Sequence, residues 1–137
     1  MVMFRRSDVI AAGDVFRTDS FPEIDVDRGG TVQGTIDALN RILDLTIPSR
    51  MLQEAGTFVI PGHGRISDEH DVVMYRDMVV IIRDRIRDMI AKKMTLEQVK
   101  AARPTLDYDG RYAAASGPTS TAGFIEAIYK DLTRSTR

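Results

Sequence analysis

The chain has 137 residues, with 19 Lys and Arg against 20 Asp and Glu, a net charge of −1 and no cysteine. This length predicts a single domain over 1–137 that can bury a core, and 43% hydrophobic with 28% charged residues is an ordinary globular composition. A near-neutral charge excludes nucleic acid or an anionic membrane as a generic partner, and the lack of cysteine excludes disulfides, thiolate nucleophiles and Cys-based zinc knuckles. No apolar run reaches the roughly 18–20 residues of a membrane span, and Met1 to Arg6 lacks a signal peptide's apolar stretch, so the expected location is cytoplasmic.

In chain order, Val2 to Arg6 is short, mixed strand material. Asp8-Val9-Ile10-Ala11-Ala12 is a compact apolar strand closed by Gly13-Asp14. From Val15 to Gly30 no helical period survives. Pro22, the acids Asp19, Glu23, Asp25 and Asp27, and the pair Gly29-Gly30 predict a long acidic loop, a kind of segment that is often functional. Thr31 opens a helix whose apolar face is Val32, Ile36, Leu39, Ile42 and Leu43, and Pro48 stops it.

Thr57-Phe58-Val59-Ile60 predicts a second buried strand ending at Pro61-Gly62-His63-Gly64. Ser67 is the expected N-cap of a long helix, with Asp68 and Glu69 in its first turn and Val72, Tyr75, Val79, Ile82, Ile86, Met89 and Ile90 on one face. Arg83, Arg85 and Arg87 are expected on an exposed face paired with nearby acids. Thr95-Leu96-Glu97-Gln98 is a capping box for a short helix ending before Pro104. Leu106 to Pro118 reads as irregular, and Ser120 to Leu132 as a final amphipathic helix. Strands alternating with helices give an α/β class. Three short strands offer less apolar surface than three amphipathic helices need, so the pattern resembles half of a layered domain.

Two strand ends carry the candidate chemistry. Asp14 follows an apolar strand and a glycine, at the kind of sheet edge where α/β proteins bind ligands, though a turn Asp bonding its own backbone has the same local sequence. His63 follows the second strand between two glycines that strip away steric cover, which suits a metal ligand or proton carrier as well as a turn histidine bonded to a carbonyl. The only other histidine, His70, sits among Asp68, Glu69 and Asp71 in a first helical turn and reads as solvated. Carboxylate plus imidazole is a zinc, manganese or iron donor set. Asp19 and Asp25 are candidates to support the ligating residues from behind or to supply a third donor; most acids of this loop are expected to be solvated. Ser116-Gly117-Pro118 has no strand-to-helix elbow and is discounted as a nucleophile. No phosphate-binding loop is present, since no Lys-Thr or Lys-Ser follows Gly29-Gly30.

Asp8 to Arg17, Gly29-Gly30-Thr31 with the helix after it, and Phe58-Val59-Ile60-Pro61-Gly62-His63-Gly64 together resemble the C-terminal half of a metallo-β-lactamase-fold hydrolase of the glyoxalase II-like and lactonase-like kind. The long helix, Thr95 to Val99 and the Phe124 to Tyr129 helix extend the likeness over nearly the whole chain. The resemblance implies an αββα sandwich, here in part, with a zinc site along one sheet edge. Asp14 would be the bridging aspartate and His63 a ligand of the second metal. A metal-bound hydroxide would attack an ester, thioester, lactone or lactam carbonyl of a small-molecule substrate.

The family's His-x-His-x-Asp-His motif and a further His lie upstream of the Gly-Asp motif, and neither occurs in this chain. The chain is therefore expected to be a truncated portion with an incomplete zinc site and little or no activity. Its uncovered apolar faces should drive self-association or pairing with the missing N-terminal half. The alternative is a non-catalytic oligomerising domain that keeps the fold without the chemistry.

Overall fold

The computed structural model describes residues 1–48 and 56–134, and within them the fold is mixed α/β: a three-stranded sheet and five α-helices. Strand β1 (Val2–Phe4) turns back antiparallel onto β2 (Val9–Arg17), and β2 pairs in parallel with β3 (Phe58–His63), so the sheet order is β1-β2-β3. A parallel pair needs a crossover, and helix α1 (Val32–Leu45) supplies it. Helices α2 (Glu69–Ala91), α3 (Leu96–Ala102), α4 (Leu106–Tyr112) and α5 (Thr121–Arg134) follow.

The helices form as their apolar spacing dictates. Ile36, Leu39 and Ile42 of α1, Val72, Tyr75, Val79, Ile82 and Ile86 of α2, and Phe124, Ile125 and Ile128 of α5 are all buried in one core. Met3, Ile10 and Val59, which are register partners across the sheet, face that core. The first turn of α1 is capped twice. Thr31 Oγ1 accepts from the Gly34 N–H at 2.9 Å, and the buried Asp131 of α5 accepts from the Val32 N–H at 2.7 Å. Lys130–Asp27 at 2.6 Å and Arg134 Nη1 donating to the Val26 carbonyl at 2.8 Å add two further ties, so α5 straps the acidic loop to the body.

Five local expectations are corrected. Strand β2 does not stop at Ala12 but continues to Arg17, because Phe16 and Arg17 are buried beyond an irregularity at Gly13. The N-cap of α2 is Asp68, reciprocally bonded with Asp71, while Ser67 bridges Val59 through both backbone bonds and covers the outer edge of β3. The segment read as irregular contains α4, and the acidic loop contains a 3₁₀ turn at Val26–Arg28. Arg83, Arg85 and Arg87 do pair with acids (Asp84, Asp107 and Asp84), but Arg83 is mostly buried, its guanidinium donating to Gln33 of α1.

The face of the sheet turned away from the helices is apolar. Val2, Ala11 and Ile60 form one cross-strand row, and Phe4, Val9 and Phe58 the next. Phe4 and Phe58 remain about half exposed, and Ile66 at 62% exposure lies alongside. Val9, Phe58, Ile60 and Ile66 enclose an apolar dimple of about 230 Å³. No helix among the described residues is long and apolar enough to cross a membrane.

Candidate metal centre

Local backbone geometry brings Asp14 and His63 together. Between the register pairs Ala11–Ile60 and Arg17–His63, β2 advances six residues while β3 advances three. The surplus is taken up as bulges, which re-aim side chains at sheet ends. Gly13 enters this stretch at φ +63°, a left-handed conformation that glycine adopts without steric cost. Asp14 is thereby turned onto the backbone of Gly62. A Cβ at position 62 would stand 2.8 Å from both the Asp14 nitrogen and the Gly13 carbonyl carbon, and would overlap Asp14 Oδ1. Only glycine at 62 leaves room for that carboxylate. At the strand ends, the Thr18 N–H donates to the His63 carbonyl at 3.1 Å and fixes the histidine backbone.

His63 Nε2 then lies 3.7 Å from Asp14 Oδ1, with both side chains more than half exposed. That separation is too long for a hydrogen bond. It is close to the spacing of two donors on one tetrahedral zinc ion, which at bond lengths of about 2.1 Å stand about 3.4 Å apart. A carboxylate oxygen and an imidazole nitrogen are zinc donors by chemistry, so the pair fits two of the three or four positions that such an ion requires.

The other carboxylate oxygen is engaged. Arg17, with 10% of its side chain exposed, places Nη2 3.2 Å from Asp14 Oδ2 and 3.9 Å from Glu23 Oε2. Nothing in the sequence pointed to Arg17 as a partner of Asp14; their i, i+3 spacing brings side chains together on a helix and does so here only because the strand is bulged.

Asp19 and Asp25 are engaged with other partners. Asp19 is exposed and accepts from the Ser20 hydroxyl at 3.2 Å. Asp25 shares with Asp14, Glu23 and Thr31 the lining of a cavity of about 390 Å³, but its carboxylate caps the 3₁₀ turn at the Arg28 N–H and pairs with the Arg28 side chain. Among the described residues no group of three or more His, Asp or Glu is placed to hold a metal ion. His70 is exposed on the first turn of α2.

Beside His63, Arg65 is a fork onto Asp71, with Nη2 at 2.5 Å and Nη1 at 2.9 Å from its oxygens. Burial by itself would raise the Asp71 carboxyl. The Arg65 fork, the Asp68 cap bond and the Ser67 hydroxyl outweigh it and hold the group below the usual carboxylate range. A carboxyl with a depressed native pKa contributes stability that is present above its unfolded pKa of about 3.9 and is lost as pH falls through the native value. Thermal melts should therefore show Asp71→Asn less stable than the parent at pH 7. The two proteins should converge below about pH 4, and an unchanged gap at low pH would rule this out.

Comparison with protein-family models finds no match, and comparison with curated protein sequences likewise finds none.

Proposed function

We propose that this chain is the C-terminal part of a zinc-dependent hydrolase of the metallo-β-lactamase fold, with Asp14 and His63 as two of its metal donors. The observation that carries this reading is the 3.7 Å approach of Asp14 Oδ1 to His63 Nε2 across a glycine that nothing larger can replace. The sequence resemblance assigns the same two residues to the same role. The apolar outer face supports the reading from a second direction, because a half sandwich must pack that face against another sheet layer. That layer would come from an N-terminal half bearing the remaining histidine donors, or from a second copy of the chain.

Bound zinc supplies a water of pKa near 7 and polarises a carbonyl, the chemistry needed for ester, thioester, lactone or lactam hydrolysis. This chain's residues do the holding. Asp14 brings negative charge and one free oxygen, and His63 offers Nε2. The cavity lined by Asp14, Glu23 and Asp25 leaves open space on the Asp14 side for a small substrate. With two donors the chain alone should bind metal weakly and turn over ester, thioester, lactone and β-lactam substrates no faster than free zinc does.

The outer face also favours a second reading, a non-catalytic oligomerising domain that keeps the shape alone. Paramagnetic manganese(II), titrated into the isotopically labelled chain, separates the two, since it broadens nearby amide signals even when binding is weak. The hydrolase reading expects broadening centred on Asp14, Val15, Gly62 and His63, reversed by zinc and abolished by Asp14→Asn or His63→Gln. Broadening spread over the exposed acids, with those four residues unaffected, leaves only the oligomerising domain.

A further inference from the structure

The guanidinium of Arg17 is buried against a carboxylate that is itself 65% exposed, an arrangement that stability alone does not explain. Its Nε is buried without a hydrogen-bond partner, and an unsatisfied buried donor costs about 1–3 kcal/mol. Its two acidic partners, Asp14 and Glu23, are at least half exposed and would be well hydrated without it. Ion pairs to exposed carboxylates contribute little. An apolar side chain of similar length would remove the orphan donor and leave no charge buried and unpaired.

What Arg17 does supply is geometry. It is the register partner of His63 on the neighbouring strand, its Nη2 lies beside Asp14 Oδ2, and Asp14 Oδ1 is the oxygen beside His63 Nε2. Gly62 leaves room for the same carboxylate from the neighbouring strand. We propose that Arg17 is the positioning residue of the Asp14 carboxylate: it occupies Oδ2, stops the group rotating away from His63 and presents Oδ1 alone toward it, making Asp14 a one-oxygen donor. The inference rests on reading Asp14 and His63 as a metal pair, and it adds which oxygen is offered and what holds it. Groups that orient a ligating carboxylate typically change metal affinity by about 10–100-fold when removed.

The test uses the chain with Arg17→Met and Arg17→Lys, read by crystal structure, thermal melt and manganese(II) broadening. Arg17→Met should melt at or above the parent temperature, while the Asp14 carboxylate turns away from His63 and metal affinity falls about 10–100-fold. Arg17→Lys should recover part of that loss, because an ammonium reaches the same oxygen as a point charge without the planar fork. The proposal is overturned if the carboxylate of Arg17→Met still faces His63, or if that variant binds metal as well as the parent or better. It is equally overturned if both variants lose stability in proportion to any lost binding, which would assign Arg17 to the fold alone. Should the parent show no broadening at His63, the metal reading fails, and the metal-free crystal structures still decide whether Arg17 holds Asp14.

Discussion

Replacing Gly62 by alanine is expected to remove the metal binding proposed for the Asp14–His63 pair and to cost about 1–3 kcal/mol of stability, the usual range for overpacking. The backbone at Gly62 is not left-handed, so alanine's own torsions are acceptable. The cost comes from where its Cβ falls. Two of the three nearest atoms are main-chain atoms of Gly13 and Asp14, which cannot swing aside as the end of a long side chain would. The strand ends must part, and Asp14 Oδ1, the third atom, loses its place beside His63. Gly110→Ala is the control. A Cβ there meets nothing within 4 Å, and alanine inside α4 should stabilise by about 0.5–1 kcal/mol. Urea unfolding of both variants, with manganese(II) broadening in each, checks the contrast. A Gly62→Ala protein with parental stability and an intact metal response would show that the close approach is not needed.

Phe21→Ala should be the most damaging single change in the acidic loop, at about 3–5 kcal/mol, against a total of about 5–15 kcal/mol for a typical domain. Phe21 is fully buried. It stacks on Phe124 with ring centres 4.9 Å apart and tilts against Tyr112 at 5.9 Å, while its N–H donates to the Tyr112 carbonyl at 3.0 Å. Tyr112 meets Tyr75 edge-on, and Tyr75 meets Phe16 edge-on, so one chain of aromatic rings runs from the loop through α4 and α2 to the bulged end of β2. The Tyr75 hydroxyl also donates to the Ser20 carbonyl at 3.0 Å. Truncating Phe21 leaves a hole at the head of this chain and releases the residues that wall the cavity beside Asp14. Hydrogen exchange should quicken over 20–30 well before it does in α2, and Phe21→Leu should lose a minor part of the stability. Protection in this loop that tracks α2 in Phe21→Ala would contradict the anchoring role.

The parts of this structure that were legible in the sequence are those governed by periodicity. The apolar faces of α1, α2 and α5 follow helical spacing residue by residue, since burial on one side of a 3.6-residue repeat leaves a direct trace. Asp14 and His63 were legible as candidates because glycine and proline punctuate the strands that carry them. The bulge was not. Alternation of polar and apolar residues says nothing about extra residues in one strand, so β2 was expected to end at Ala12 although Phe16 and Arg17 return to the interior. Helix α4 was missed because Asp107, Asp109 and Gly110 are weak helix formers and Thr105 makes no side-chain cap. It is held from outside, with Arg85 of α2 bonding the Pro104 carbonyl and Asp107. The same holds for Arg17 and Asp131, whose partners are set by tertiary placement.

On the proposed function, Asp14 and His63 share one metal ion. Anomalous diffraction at the zinc edge, from crystals of the chain grown with equimolar zinc, should show a peak between Asp14 Oδ1 and His63 Nε2, at bonding distance from both and absent in His63→Gln. A peak seated elsewhere, or one that survives that substitution, would contradict that reading.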